Sequence, residues 1–317
     1  MNELVNKLRQ GNRRALARAM SSVGATGHAE SSLEVCLRES TGQVPWWGFT
    51  GPPGVGKSTL LDALLVHLRE HGRRVGVVAV DPTSTRSDGA LLGDRVRMMR
   101  HAVDDGVFIR SLATHGHHGG LSDATLHCAR LLELAGYDPV LIETVGVGQN
   151  EVEIRSVADL CVVVLGPGYG DDIQLVKAGL LEIADVVAVN KCDLPEAQRL
   201  VNEVRQEFAA AARDIEVVAI EAKSGNGVPE LLQRLFELDR ARRTETAEAS
   251  RGRRRTLGEI RRRTEFSCRQ ALGRAMTGPE VEQWITKLNR GECSLATVIS
   301  RLAALALAEL QQEADDG

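Results

Sequence analysis

Residues 51–59 read GPPGVGKST, behind the short apolar run WWGFT and ahead of the helix-like TLLDALLVHLREH. Gly51, Gly56, Lys57 and Ser58 fit the spacing GxxxxGK[ST] in a strand–loop–helix setting, which defines a phosphate-binding loop. The glycines, Gly54 included, let the backbone curl so that successive N–H groups, from Val55 to Thr59, converge on one phosphate. Lys57 reaches the outer phosphates, the helix start adds partial positive charge, and Ser58 offers its hydroxyl to Mg²⁺. The residues therefore predict binding of a nucleoside triphosphate.

A second stretch, VVAVNKCD at 186–193, sets Asn190, Lys191 and Asp193 at the end of a later apolar run. This is the NKxD arrangement of guanine-specific proteins. One carboxylate, Asp193, accepts from both N1–H and the exocyclic amine of guanine, whereas adenine would meet it with an acceptor. Downstream, EAKSGNG (221–227) supplies Ala222, whose backbone N–H is expected on the guanine carbonyl, and Lys223, expected over the ring. The nucleotide is thus expected to be GTP or GDP.

Acids complete the chemistry. VLIETVGVGQNE (140–151) ends an aliphatic run on Glu143, with Gly146 three residues on. A strand-end acid there is expected on the magnesium side of the site, directly or through a bound water, with Gly146 at the γ-phosphate. Val147 follows Gly146 where small signalling GTPases carry a glutamine, so intrinsic hydrolysis is expected to be slow, on the order of 10⁻⁴ to 10⁻² per second. Asp81 ends GVVAVD and Asp94 lies in the polar stretch after it. Lys177 lies in GPGYGDDIQLVKAG (166–179). Long polar loops of this kind are where phosphate-sensing switches sit.

These residues need a scaffold. Seven β-branched runs (WWGFT, RVGVVAVD, VFIR, PVLIET, LCVVVLG, DVVAVN, IEVVAI) alternate with helix-like segments from 46 to 238. That alternation predicts an α/β fold with a mostly parallel sheet of about seven strands flanked by helices. Residues 1–44 read as a helical extension with Leu4, Leu8, Ala15 and Met20 inward, 45–238 as the nucleotide-binding domain, and 239–317 as a helical arm for a partner or a second copy. The last helix is apolar over most of its circumference.

Of 317 residues, 43% are hydrophobic and only ten are aromatic, the net charge is −4, and the six cysteines include no CxxC pair. These figures describe an ordinary globular chain with reduced thiols. They give no electrostatic case for nucleic acid, and no apolar run nears the roughly 18 residues of a membrane span. The N-terminus lacks a secretory apolar core, so a cytoplasmic location is expected. Residues 239–263 hold ten arginines against four acids. Such a run is expected to be a solvated helical face.

The segments NRRALARAMS, GPPGVGKSTLLDAL, VAVDPTS, LLGDRVRM, AGYDPVLIETVGVGQNE, GDDIQLVKAGLLEIADVVAVNKCD and AKSGNGV, in order over residues 10–230, resemble the MeaB/ArgK family of P-loop GTPases, which includes the methylmalonic aciduria type A protein. The resemblance implies a P-loop NTPase fold and a GTP-hydrolysing chaperone for an adenosylcobalamin-dependent acyl-CoA mutase such as methylmalonyl-CoA mutase. It also implies a homodimer built through the arm. Asp81, Asp94 and Glu143 become magnesium- and switch-associated acids, and Lys177 part of a third switch. Two stretches depart from the family: Asp172 stands where Glu is usual beside Tyr169, and THGHHGG (114–120) introduces His115, His117 and His118. With His127 and Cys128 these histidines raise the alternative of a metallochaperone GTPase of the nickel-delivery type.

Overall fold

The computed structural model describes residues 2–26, 33, 37, 42, 44–81, 99–101, 103–113, 123–144, 154–168, 181–242 and 245–315. Among them are seven strands: β1 (Trp46–Thr50), β2 (Val75–Asp81), β3 (Val107–Ala113), β4 (Val140–Glu143), β5 (Leu160–Leu165), β6 (Val186–Val189) and β7 (Glu216–Ala219). All are parallel, in the order β3-β2-β4-β1-β5-β6-β7. Each strand coincides with one of the seven β-branched runs. Every residue of β1, β4, β5 and β6 is buried, as sheets covered on both faces require, while β7 at the edge is partly exposed.

The helices are α1 (Asn2–Arg9), α2 (Arg13–Thr26), α3 (Lys57–Glu70), α4 (Asp123–Leu134), α5 (Pro195–Ala210), α6 (Val228–Arg242), α7 (Glu245–Met276), α8 (Pro279–Asn289) and α9 (Leu295–Asp315). Two apolar cores form, one on each face of the sheet. Leu60, Leu64 and Leu68 of α3 and Leu231 and Leu235 of α6 meet Trp47, Leu141 and Val162 on one face. Leu131 of α4, Leu200 and Val204 of α5 and the inward side chains of α1 and α2 meet Trp46, Ile142 and Val163 on the other. Period-two alternation along each strand splits neighbours between the two cores.

The N-terminal helices join this core: Leu8 and Met20 are fully buried and Ala15 nearly so. Asn12 caps α2, its Oδ1 accepting from the Ala15 N–H at 3.0 Å, after the left-handed Gly11 ends α1. One compact unit is Met1–Arg255 and the other Thr256–Gly317. The boundary falls inside α7 because its first turns are held by ion pairs.

Those pairs correct the expectation of a solvated arginine face. Arg255 is buried, with Nη1 donating to Glu133 Oε2 at 3.0 Å and Nη2 to Asp159 Oδ2 at 2.5 Å, over the Trp46 ring. Arg254 pairs with Asp159, and Arg251 is buried near Asp159 and Asp239. Only folding reveals that acids far away in sequence face this stretch of α7.

In the second unit, α7 continues to Met276, and α8 and α9 follow, with Trp284 of α8 and Val298 and Ala306 of α9 buried. Gly291, φ 71°, follows the end of α8, its N–H donating to the Leu288 carbonyl at 3.0 Å. Ala271, Ala275 and Ala306 form a small core, while Phe266, Met276, Ile299 and Leu307 stay exposed.

Candidate nucleotide site

Because all strands run parallel, their C-terminal ends share one edge. From β1 the chain runs to β2 on one side, and from β4 it crosses to β5 on the other, and ligands bind at such a switch point. Residues 51–56 link β1 to α3 there. Gly51 has φ 141° and a Cβ on it would sit 2.0 Å from the Val164 carbonyl oxygen. Gly56 has φ 104° and a Cβ there would sit 2.3 Å from Asn190 Nδ2. Neither position accepts a side chain.

No side chain caps the start of α3, which leaves its first N–H groups for an anion. Val55 is fully buried, Thr59 half-buried and Gly54 exposed. Lys57 is buried, and its Nζ donates to the carbonyls of Gly51 at 2.8 Å and Pro52 at 2.9 Å, holding the ammonium across the loop.

Glu143 has its parity from β4. Val140 and Ile142 point to one core and Leu141 to the other, so Glu143 follows Leu141 toward α3. It is buried, and Ser58 Oγ donates to its Oε1 at 2.8 Å. A hydroxyl and a carboxylate oxygen side by side form the hard oxygen set that Mg²⁺ prefers, so the residues fit that ion. Asp81 ends β2, two residues beyond Ala79, which pairs in register with Glu143. Its backbone is thus on the same edge. Asp94, Gly146 and Lys177 lie outside the described residues.

At the other end, Asn190 bridges two loops. Its Nδ2 donates to the Val55 carbonyl at 2.8 Å, and its Oδ1 accepts from the Ala222 N–H at 2.9 Å. One side chain therefore ties the phosphate loop to the loop after β7. The Ala222 N–H, expected on the guanine carbonyl, donates to Asn190 here. Lys191 holds φ 62°, and Cys192 N–H donates to the Ile220 carbonyl at 3.0 Å. Asp193 and Lys223 are exposed on either side. The sequence named Asn190 as part of a motif without giving it this work. Its signal in the sequence was membership of the NKxD motif at a strand end.

Of the residues raised for a transition metal, His115, His117 and His118 lie outside the described residues. His127 and Cys128 are buried on α4. Burial pushes the Cys128 thiol up to about 12, which disfavours the thiolate a soft metal needs. Among the described residues no cluster of three or more His, Cys, Asp or Glu could hold a metal ion. Cys161 is likewise raised to about 12, by burial and then by Asp185, and all five described cysteines are free.

A parallel sheet, a phosphate loop on β1, a strand-end acid bonded to it and an NKxD loop define a P-loop GTPase. The family described as "Methylmalonyl Co-A mutase-associated GTPase MeaB" matches residues 16–276, and the chain belongs to it. A protein named as a GTPase in Pyrococcus horikoshii is 44% identical over 247 residues, 75% of this chain and 77% of that one. The mouse methylmalonic aciduria type A homolog, described as mitochondrial, is 39% identical over 198 residues, 60% of this chain and 48% of that one. The crystal structure of a LAO/AO transport system kinase superposes with a TM-score of 0.66 at 23% identity, covering 96% of each chain, a likeness of fold.

Proposed function

We propose that the chain binds GTP with Mg²⁺, hydrolyses it slowly to GDP and phosphate, and uses that cycle as a chaperone. Its client is an adenosylcobalamin-dependent acyl-CoA mutase of the methylmalonyl-CoA mutase kind, whose cofactor loading and protection it gates. The family's description and the mouse relative's name support the client. The observation that carries the nucleotide reading is Asn190, which joins Val55 of the phosphate loop to Ala222 of the base loop. A site so tied holds both ends of one nucleotide.

Within it, Gly51, Gly54, Val55, Gly56 and Thr59 cradle the phosphates and Lys57 neutralises them. Ser58 and Glu143, with Asp81 and Asp94, would hold Mg²⁺, some through water. When bound, that ion polarises the phosphate oxygens. Gly146 and Lys177 serve loops that read whether the γ-phosphate is present. Asp193 and Lys223 select the base. Val147, in place of a water-orienting glutamine, leaves hydrolysis slow until a partner stimulates it.

The exposed Phe266, Met276, Ile299 and Leu307 of 239–317 support a homodimer or client contact through the arm. Among the described residues no helix is long and apolar enough to cross a membrane, in keeping with a cytoplasmic chaperone.

Asp193→Asn tests the base reading. An amide offers one donor and one acceptor, which suits xanthine's second carbonyl and mismatches guanine's amine. GTP affinity is expected to fall about 10²-fold or more, with xanthosine triphosphate now preferred. Titration with both nucleotides reads this, and unchanged GTP affinity would refute it.

A further inference from the structure

Away from the nucleotide edge, α1 and α2 enclose a groove of about 600 Å³. Its floor is apolar, from Ala15, Ala19, Val23 and Leu33, and Arg14 and Arg18 stand at its rim. Helix α2 contains three arginines and no acid. Arg13 is employed, donating from Nη1 to the carbonyls of Asp104, Asp105 and Val107 at 2.8 to 3.1 Å. Arg14 and Arg18 are exposed and make no hydrogen bond or ion pair among the described residues. Lys7 and Glu3, also at the groove, neutralise each other at 2.6 Å.

This arrangement is locally unfavourable. Arg14 sits in the first turn of α2, where the helix dipole repels a cation. Arg14 and Arg18 are one turn apart, and like charges at that spacing repel across the helix surface. Nothing in the fold of the described residues compensates either effect. Local choices that oppose stability mark sites kept for binding. The missing element is negative charge, and the floor beneath asks for apolar side chains.

We infer that the α1–α2 groove is a docking site for an acidic segment of a partner protein, one that places apolar side chains on the floor and carboxylates on Arg14 and Arg18. The volume suits a few side chains of a short segment, and the two arginines fix its register through charge-assisted bonds. Charge complementarity at a rim raises the rate of encounter and excludes basic partners. This surface is separate from the nucleotide site and does not depend on which client is served.

The test uses the full chain and a fluorescein-labelled 12-residue peptide of mixed Glu and Leu, read by anisotropy. Controls are the peptide with Lys for Glu, the peptide with Ser for Leu, phosphatidylserine vesicles and inorganic tripolyphosphate. The Glu/Leu peptide is expected to bind, each altered peptide to bind at least ~10-fold more weakly, and Arg14→Glu/Arg18→Glu to weaken binding about 10-fold. Both arginines are exposed, so GDP affinity should be unchanged in that variant, and Arg14→Gln/Arg18→Gln provides a milder version. Equal binding by the double variants, or by the Lys peptide, overturns the inference. Binding of vesicles or tripolyphosphate with no binding of the Glu/Leu peptide also overturns it, in favour of a lipid or phosphate surface.

Discussion

Arg255→Ala is expected to lower the stability of the Met1–Arg255 unit by about 3–5 kcal/mol, the usual cost of breaking a buried ion pair from one side. The guanidinium meets Glu133, Asp159 and the Val44 carbonyl, and it lies 3.8 Å from the centroid of the Trp46 ring. Both carboxylates also hold the start of β1. Asp159 Oδ2 accepts from the Trp46 N–H at 2.8 Å, and Glu133 Oε2 accepts from Trp46 Nε1 at 3.1 Å. Removing the cation takes a balancing charge from two buried acids, Glu133 and Asp159, of which Asp159 keeps Arg254 and Arg251. Arg255→Lys should rescue little, because a single ammonium cannot span two carboxylates, a carbonyl and a ring face. Urea denaturation of both variants measures this; a loss under about 1 kcal/mol would show the network to be incidental.

Glu143→Gln is expected to slow GTP hydrolysis about 10²-fold while leaving folding intact. The amide oxygen can still accept from Ser58, so the 2.8 Å contact and the packing of β4 on α3 survive. What disappears is the negative charge on the magnesium side of the site. Single-turnover hydrolysis separates this from binding: the rate should fall far more than GDP affinity. Glu143→Ala removes the acceptor as well and should destabilise the chain in addition, since a buried hydroxyl is then stripped of a partner. A Gln variant hydrolysing at the unmodified rate would remove Glu143 from the chemistry.

The fold was legible because a parallel sheet buried on both faces writes each strand as an unbroken apolar run, and the helices between them as amphipathic segments. WWGFT, PVLIET and DVVAVN needed no tertiary information to be read as strands. The phosphate loop was legible for a similar reason, since its glycines are dictated by local backbone geometry. Residues whose work depends on distant partners were not. Asn190 shows in the sequence only as a motif member, and its hold on Val55 and Ala222 exists only once β1, β6 and β7 are side by side. Arg255 looked like one of ten arginines on a wet surface, because Glu133 and Asp159 are about a hundred residues away in the chain. The inward stripe of α1 and α2 was visible, but not the core it would join.

Isothermal titration calorimetry of the full chain with GTP and ATP, each with Mg²⁺, tests the central claim most directly. One GTP per chain should bind at least about 10²-fold more tightly than ATP, and Asn190→Ala should weaken GTP by a factor of ten or more by freeing the two loops it joins. No heat of GTP binding, or equal affinity for ATP, would contradict the account.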